Sequence, residues 1–250
     1  MLAGRAAIVG VGVLAATLVA GAWLASAAWA GVVTTGPGLS GSAITRPAER
    51  EIRALVLLVV LDDPRPGAEG VAAALVDEVE AALRRVYQVE VRRLPAITLP
   101  RSAYYAPRRR YRADLLLDHL ATQVPAELPA GTRVLGLTSA DISTSKPPHR
   151  DWGVFGLGSL GGTAGVVSSH RLRKKARDAA QVSWRVTNTA VHELGHVLGL
   201  DHCEEANCVM LDAQGGIANT DGSSGVPGPK CQAVLDRAAP LRPASELGGA

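Results

Sequence analysis

The sequence predicts an α/β fold of the α+β kind: a twisted mixed sheet with an antiparallel edge strand, two or three helices, and an irregular C-terminal subdomain. Three observations predict it. Short runs such as "RALVLLVVL" alternate with stretches whose apolar residues recur at helical spacing. Those runs are apolar throughout, which marks strands covered on both faces. Beyond Gly199 periodicity nearly vanishes.

The chain opens with Arg5 followed by an uncharged run from Ala6 to Thr45, apolar through Leu24. Ala28 and Ala30 fit the small-x-small pattern of a signal-peptidase site. The run also approaches the roughly 20 residues that span a bilayer. Residues 1–30 therefore read as a signal peptide or an N-terminal membrane anchor, with 6–29 as the anchoring stretch. Either reading makes the rest extracytoplasmic, secreted or membrane-anchored. Residues 31–50 are Gly/Ser/Thr/Pro-rich and read as a flexible linker. The domain is expected over 51–239, with a disordered tail at 240–250.

Within the domain, Arg53–Leu61 is the first strand, stopped by "DDPRPG". Gly70–Tyr87 carries Val71, Leu75, Val79, Leu83 and Val86 on one helical face. "YQVEVRRL" follows as a second strand, making a β-α-β unit. A linking segment leads to a helix over Ala113–Gln123, then a strand at Thr132–Ser139. An edge strand is expected at Val154–Leu157 and another strand at Ala164–Ser168. A polar helix from about Lys174 carries "VHELGH" in its last turns, and a short helix over Gln232–Arg237 closes the domain.

The net charge of +3 and the 4% aromatic content exclude an electrostatic or base-stacking case for nucleic acid. The clusters "RRRYR" (Arg108–Arg112) and "RLRKKAR" (Arg171–Arg177) read as solvated faces. The chemistry is concentrated in "VHELGHVLGLDHC", Val191–Cys203, which holds three of the six histidines. His192 and His196, four apart on a helix, share one face and can reach a single Zn²⁺. Glu193, about 100° away around the helix, can sit beside the metal without binding it and polarise a water there. Gly199 permits a sharp exit turn that brings His202 up as third ligand. Three histidines leave the fourth tetrahedral position for water. Elsewhere Trp152, Val154 and Phe155 are candidates for lining a substrate groove. His119 reads as structural, and His149 and His170 as lesser candidates at the cleft.

His192, Glu193, His196, Gly199 and His202 match the extended metzincin pattern H-E-x-x-H-x-x-G-x-x-H. "HELGHVLGLDHCEEANCVM" resembles the archaemetzincins more narrowly, through Cys203, Cys208 and Met210. "RVLGLTSADI" and "WGVFG" are similar to the N-terminal half of that family, so the resemblance covers most of residues 52–238. It implies a metzincin-like zincin domain and a zinc-dependent peptidase acting on a peptide or protein. Met210 would form the floor beneath the metal. A substrate peptide would pair with the upper edge strand. The family places a C-x-x-C pair seventeen residues past the methionine, completing a four-cysteine second zinc site. Here Gly228 holds the first of those positions and Cys231 the second.

Three outcomes stay open for Cys203, Cys208 and Cys231: a second zinc held by thiolates, a disulfide, or free thiols. The rival functional class is an exported zinc-holding or peptide-binding module with little hydrolysis. Glu193 argues against it, because binding alone needs no base.

Overall fold

The computed structural model describes residues 54–213 and 216–238. The expected leader at 1–30, the linker at 31–50 and the tail at 240–250 lie outside them. No described helix is long and apolar enough to cross a membrane.

Strand β1 (Leu55–Asp62) is the spine. Its alternate residues feed two cores. Val56 and Leu58 join the helices α1 (Ala73–Tyr87) and α4 (Ala179–Val197) on one face. Leu55, Leu57, Val59 and Leu61 meet α2 (Ala113–Ala121) on the other. All six of those β1 side chains are essentially buried, each stabilising the fold by about 1.5–3 kcal/mol relative to exposure. This double burial is why the run lacks polar alternation.

β2 (Glu90–Arg93) returns parallel to β1, as the β-α-β reading requires. β3 (Ile97–Thr98) pairs with the far end of β1. On the other side stand β6 (Arg133–Thr138), then β10 (Ala164–Ser168), both parallel, then β9 (Gly156–Gly158), antiparallel at the edge. The mixed sheet with its antiparallel edge strand is as expected. At Gly136 the Leu120 and Leu61 methyls approach within 2.8 and 2.9 Å of where a Cβ would sit, so α2 lies close on β6.

Two expectations need correction. The linking segment before α2 and the stretch after β6 form a second sheet. It comprises β4 (Tyr104–Tyr105), β5 (Arg110–Arg112), β7 (Ile142–Lys146) and β8 (His149–Val154). Its strands are short and pair across distance, as Tyr111 does with Ile142, so no local pattern announces them. The expected edge strand over Val154–Leu157 is likewise two strands in two sheets. β8 ends at Val154 and β9 begins at Gly156, with the chain changing sheets at Phe155, whose carbonyl accepts the Ser168 N–H at 2.8 Å.

The helix expected from Lys174 starts at Ala179. Asp178 is its N-cap and accepts the Gln181 N–H at 2.8 Å, a capping signature legible as "DAAQ". A separate short helix, α3 (Ser169–Leu172), precedes it. Past α4, only α5 (Ala218–Asp221) and α6 (Pro229–Arg237) are regular among the described residues. Among the described residues α1, α2 and α4 form the main layers, as expected, the short closing helix is α6, and α3 and α5 are single turns besides.

Candidate metal centre and cleft

Helix α4 lies against the sheet edge, and its last turns carry the motif. It ends in a Schellman turn. The Leu200 N–H donates to Gly195 O and the Gly199 N–H to His196 O, both at 2.9 Å, with Gly199 at φ +95°. That turn reverses the chain so that His202 meets the two helical histidines. His196 Nε2 lies 3.0 Å from His192 Nε2 and 3.2 Å from His202 Nε2.

The other ring nitrogens settle which atoms face the centre. His192 Nδ1 is 2.7 Å from Val209 O, and His196 Nδ1 is 2.8 Å from Leu200 O. A carbonyl accepts only, so Nδ1 carries the proton and Nε2 keeps its lone pair. Lone pairs facing one another at 3.0 Å repel unless a cation lies between them. Ligands at 2.0–2.1 Å from a tetrahedral zinc stand about 3.3 Å apart, close to the spacing observed. Burial pushes His192 down to about 4, and burial also lowers His196. Both rings are therefore neutral donors at neutral pH. The donor set fits zinc.

Glu193 is buried on the same helix, facing β9 rather than the three nitrogens. A Cβ at Gly156 would lie 2.6 Å from its Oε1, and one at Gly158 would press on its backbone carbonyl. Glycine at both positions lets the edge strand lie directly over the carboxylate. Burial pushes Glu193 up to about 8, opposed by the Gly158 N–H. Met210 is fully buried under the helix, its sulfur against Gly195, where a Cβ would also meet Tyr87 Oη at 2.7 Å. Tyr87 donates to Val191 O at 2.7 Å. Gly195 thus gives the floor its close approach.

A cleft of about 590 Å³ opens over these groups, and Trp152, Val154 and Phe155 line it with His192, Glu193, His196 and His202. Neither His149 nor His170 lines it. His149 instead stacks on Trp152, ring centres 4.9 Å apart. Sequence reasoning missed Gly156 and Gly158; the i, i+2 glycines of "FGLG" were the available signal, a strand face stripped for close approach. It also missed Lys146, Arg171, Lys174 and Lys175 on the cleft wall, which only the tertiary fold gathers.

The three cysteines converge below. Their sulfurs lie within 4.8 Å of one another and no S–S bond joins them. Burial pushes the Cys203 and Cys231 thiols up. The segment carrying them is fastened to α4 by polar contacts. Buried Arg185 holds Asp221 through two hydrogen bonds of 2.7 and 2.8 Å and donates to the Leu172 and Lys174 carbonyls. Asn188 donates to Thr220 O at 3.3 Å.

The sequence matches the profile of peptidase family M54 over residues 67–236. An archaemetzincin of Haloarcula marismortui is 35% identical over 147 residues, 56% of this chain and 80% of the relative. That of Archaeoglobus fulgidus is 36% identical over 135 residues, 54% and 75%. Among solved structures, the archaemetzincin of Methanopyrus kandleri superposes with a TM-score of 0.61 at 32% identity, covering 76% of this chain and 98% of its own. That of A. fulgidus, complexed with malonate, gives 0.57 at 30%, covering 72% and 98%.

Proposed function

Because the chain belongs to peptidase family M54, and with it is a zinc metallopeptidase, we propose that Glu193 is its catalytic base and that His192, His196 and His202 hold the zinc. The observation carrying this is a division of roles: His192 and His196 on α4 and His202 past its exit turn bring their Nε2 atoms to one point, while the Glu193 carboxylate of the same helix packs under β9. Zinc bound there supplies Lewis acidity, lowering the pKa of a water it meets and polarising the scissile carbonyl.

The remaining work falls to the chain. Glu193 takes the proton of the attacking water and delivers it to the leaving amine. The buried carboxylate has a single proton to exchange and little bulk water to exchange it with. β9, the outermost strand of its sheet, offers backbone groups to an extended substrate peptide, whose side chains would meet Trp152, Val154 and Phe155. Met210 and Gly199 set the floor and the exit turn.

Glu193→Gln keeps shape and removes the base. The expected outcome is loss of peptide hydrolysis with the zinc content of His192, His196 and His202 retained, whereas His196→Ala loses zinc as well. A Glu193→Gln protein that still cleaves a peptide library, or one stripped of zinc like His196→Ala, would overturn the assignment. Wild-type protein that binds zinc and cleaves nothing would favour the zinc-holding module. The leader sequence supports an extracytoplasmic site of action, secreted or anchored through residues 6–29. Sequencing the mature N-terminus tests it, with Gly31 first if cleavage follows Ala30.

A further inference from the structure

We propose that this chain holds a second zinc on Cys203, Cys208, Cys231 and the carboxylate of Glu205, which takes the position that Gly228 leaves without a side chain. Four observations converge. Cys208 Sγ and Cys231 Sγ are 3.7 Å apart, and Cys203 Sγ is 3.6 Å from Glu205 Oε2. Around a tetrahedral ion with Zn–S near 2.3 Å and Zn–O near 2.1 Å, sulfur–sulfur edges are about 3.8 Å and sulfur–oxygen edges about 3.6 Å. The three sulfurs lie within 4.8 Å of one another, and these two contacts have the lengths of such edges. A disulfide requires about 2.05 Å instead.

The second observation is where the carboxylate sits. A Cβ built on Gly228 would fall 2.6 Å from Glu205 Oε2 and 3.4 Å from Cys208 Cβ. The space belonging to a side chain at position 228 is filled by Glu205. Third, the backbone around the cluster donates inward. Gly228 and Met210 N–H groups reach Cys208 Sγ at 3.1 and 3.4 Å, and the Glu205 N–H reaches Cys203 Sγ at 3.3 Å. The Lys230 N–H reaches Glu205 Oε2 at 3.1 Å. Backbone N–H groups directed at Cys203, Cys208 and the Glu205 carboxylate are the outer sphere expected of a thiolate metal site. Fourth, the cluster is closed. Cys208 and Cys231 are buried, and with Glu205 beside Cys203 the chain would supply the four donors that a structural zinc takes.

Three anionic sulfurs and a carboxylate this close are untenable without a cation. With protonated thiols, Cys203 merely donates to Glu205 and nothing calls for two N–H groups on Cys208. The ion would tie three stretches together: Cys203 beside His202, Cys208 two residues before Met210, and Cys231 in the first turn of α6.

The test loads protein purified under reductant with cobalt. A site of three thiolates gives an intense thiolate-to-cobalt charge-transfer band, which three imidazoles do not, so the readout is independent of peptidase activity. Wild type should show that band and carry two zincs per chain by elemental analysis. Glu205→Ala should weaken zinc at the sulfur site by at least about tenfold in chelator competition, a lower bound set by what even outer-sphere partners contribute. Gly228→Cys should displace the carboxylate and keep the site, so that adding Glu205→Ala to it changes affinity no further. Absence of the band in reduced, folded wild type overturns the second site. An unchanged affinity in Glu205→Ala, or an equal loss in the Gly228→Cys background, overturns Glu205 as the ligand. Glu193→Gln should leave the band untouched, which separates this proposal from the catalytic assignment.

Discussion

The segments before and after Gly199 are held together in different ways. Upstream, Leu and Val side chains of β1, β6 and β10 pack between α1, α4 and α2 in two continuous cores. Downstream, 37 described residues contain only two short helices, and much of their attachment is specific. Leu200, Val209, Met210 and Leu235 reach the core beneath α4, and the thiol cluster, the Arg185–Asp221 pair and the Asn188–Thr220 bond fasten the rest. Yet the proposed catalytic architecture draws on both. His192, Glu193 and His196 belong to the packed part, His202 belongs to the stapled part, and Met210 lies where the two meet. An apolar core tolerates a lost contact by sharing the strain among neighbours, whereas a staple fails as a unit. The position of His202, the proposed third ligand, therefore depends on a few polar groups.

The largest expected effect contrasts the two parts directly. Leu135→Ala empties space in the core beneath α4 and should cost about 2–5 kcal/mol, lowering the melting temperature by roughly 5–15 °C. Activity assayed well below melting should persist. Cys208→Ala should do the reverse. It removes a sulfur that accepts the Met210 and Gly228 N–H groups next to the carbonyl holding His192. kcat/KM should fall by about 10–100-fold, with faster hydrogen exchange confined to residues 203–231. If Cys208→Ala instead unfolds the whole domain while exchange rises evenly, the two parts are one cooperative unit.

The same contrast governs what was legible. The motif on α4 was, because a helical repeat fixes which side chains share a face and Gly199 marks the turn. β1 and α1 were, within a few residues, because their apolar patterns are long and local. β4, β5 and β8 were not, since each strand's pairing depends on a partner elsewhere in the chain. Tyr104 finds Tyr111, and Tyr111 finds Ile142. Counting cysteines pointed to Gly228 but not to the Glu205 carboxylate beside it. Glu205 precedes that glycine by 23 positions, and only the fold brings its carboxylate there. The start of α4 could have been found from "DAAQ"; the polar run before it obscured the boundary.

The smallest effect concerns the staple between Arg185 and Asp221. Arg185 is buried, its side chain 3% exposed, while that of Asp221 is 30% exposed. The hydrogen bonds from Arg185 hold the Asp221 carboxyl below its usual range. A carboxyl lowered in the folded state contributes stability that is fully present above its unfolded value, near 3.9. The contribution fades as pH falls from there through the folded value. Asp221→Asn leaves the guanidinium with a neutral acceptor, at a cost of about 1–2 kcal/mol at pH 7, reduced from that of a fully buried pair by the exposure of the carboxylate. The melting-temperature gap between wild type and Asp221→Asn should then be constant from pH 7 to about 5 and shrink below about 4. Protonation of the histidines and loss of zinc occur in both proteins and cancel in the difference. A gap that stays constant down to pH 3 would mean that the carboxylate charge contributes nothing and that the pair holds α5 by shape alone.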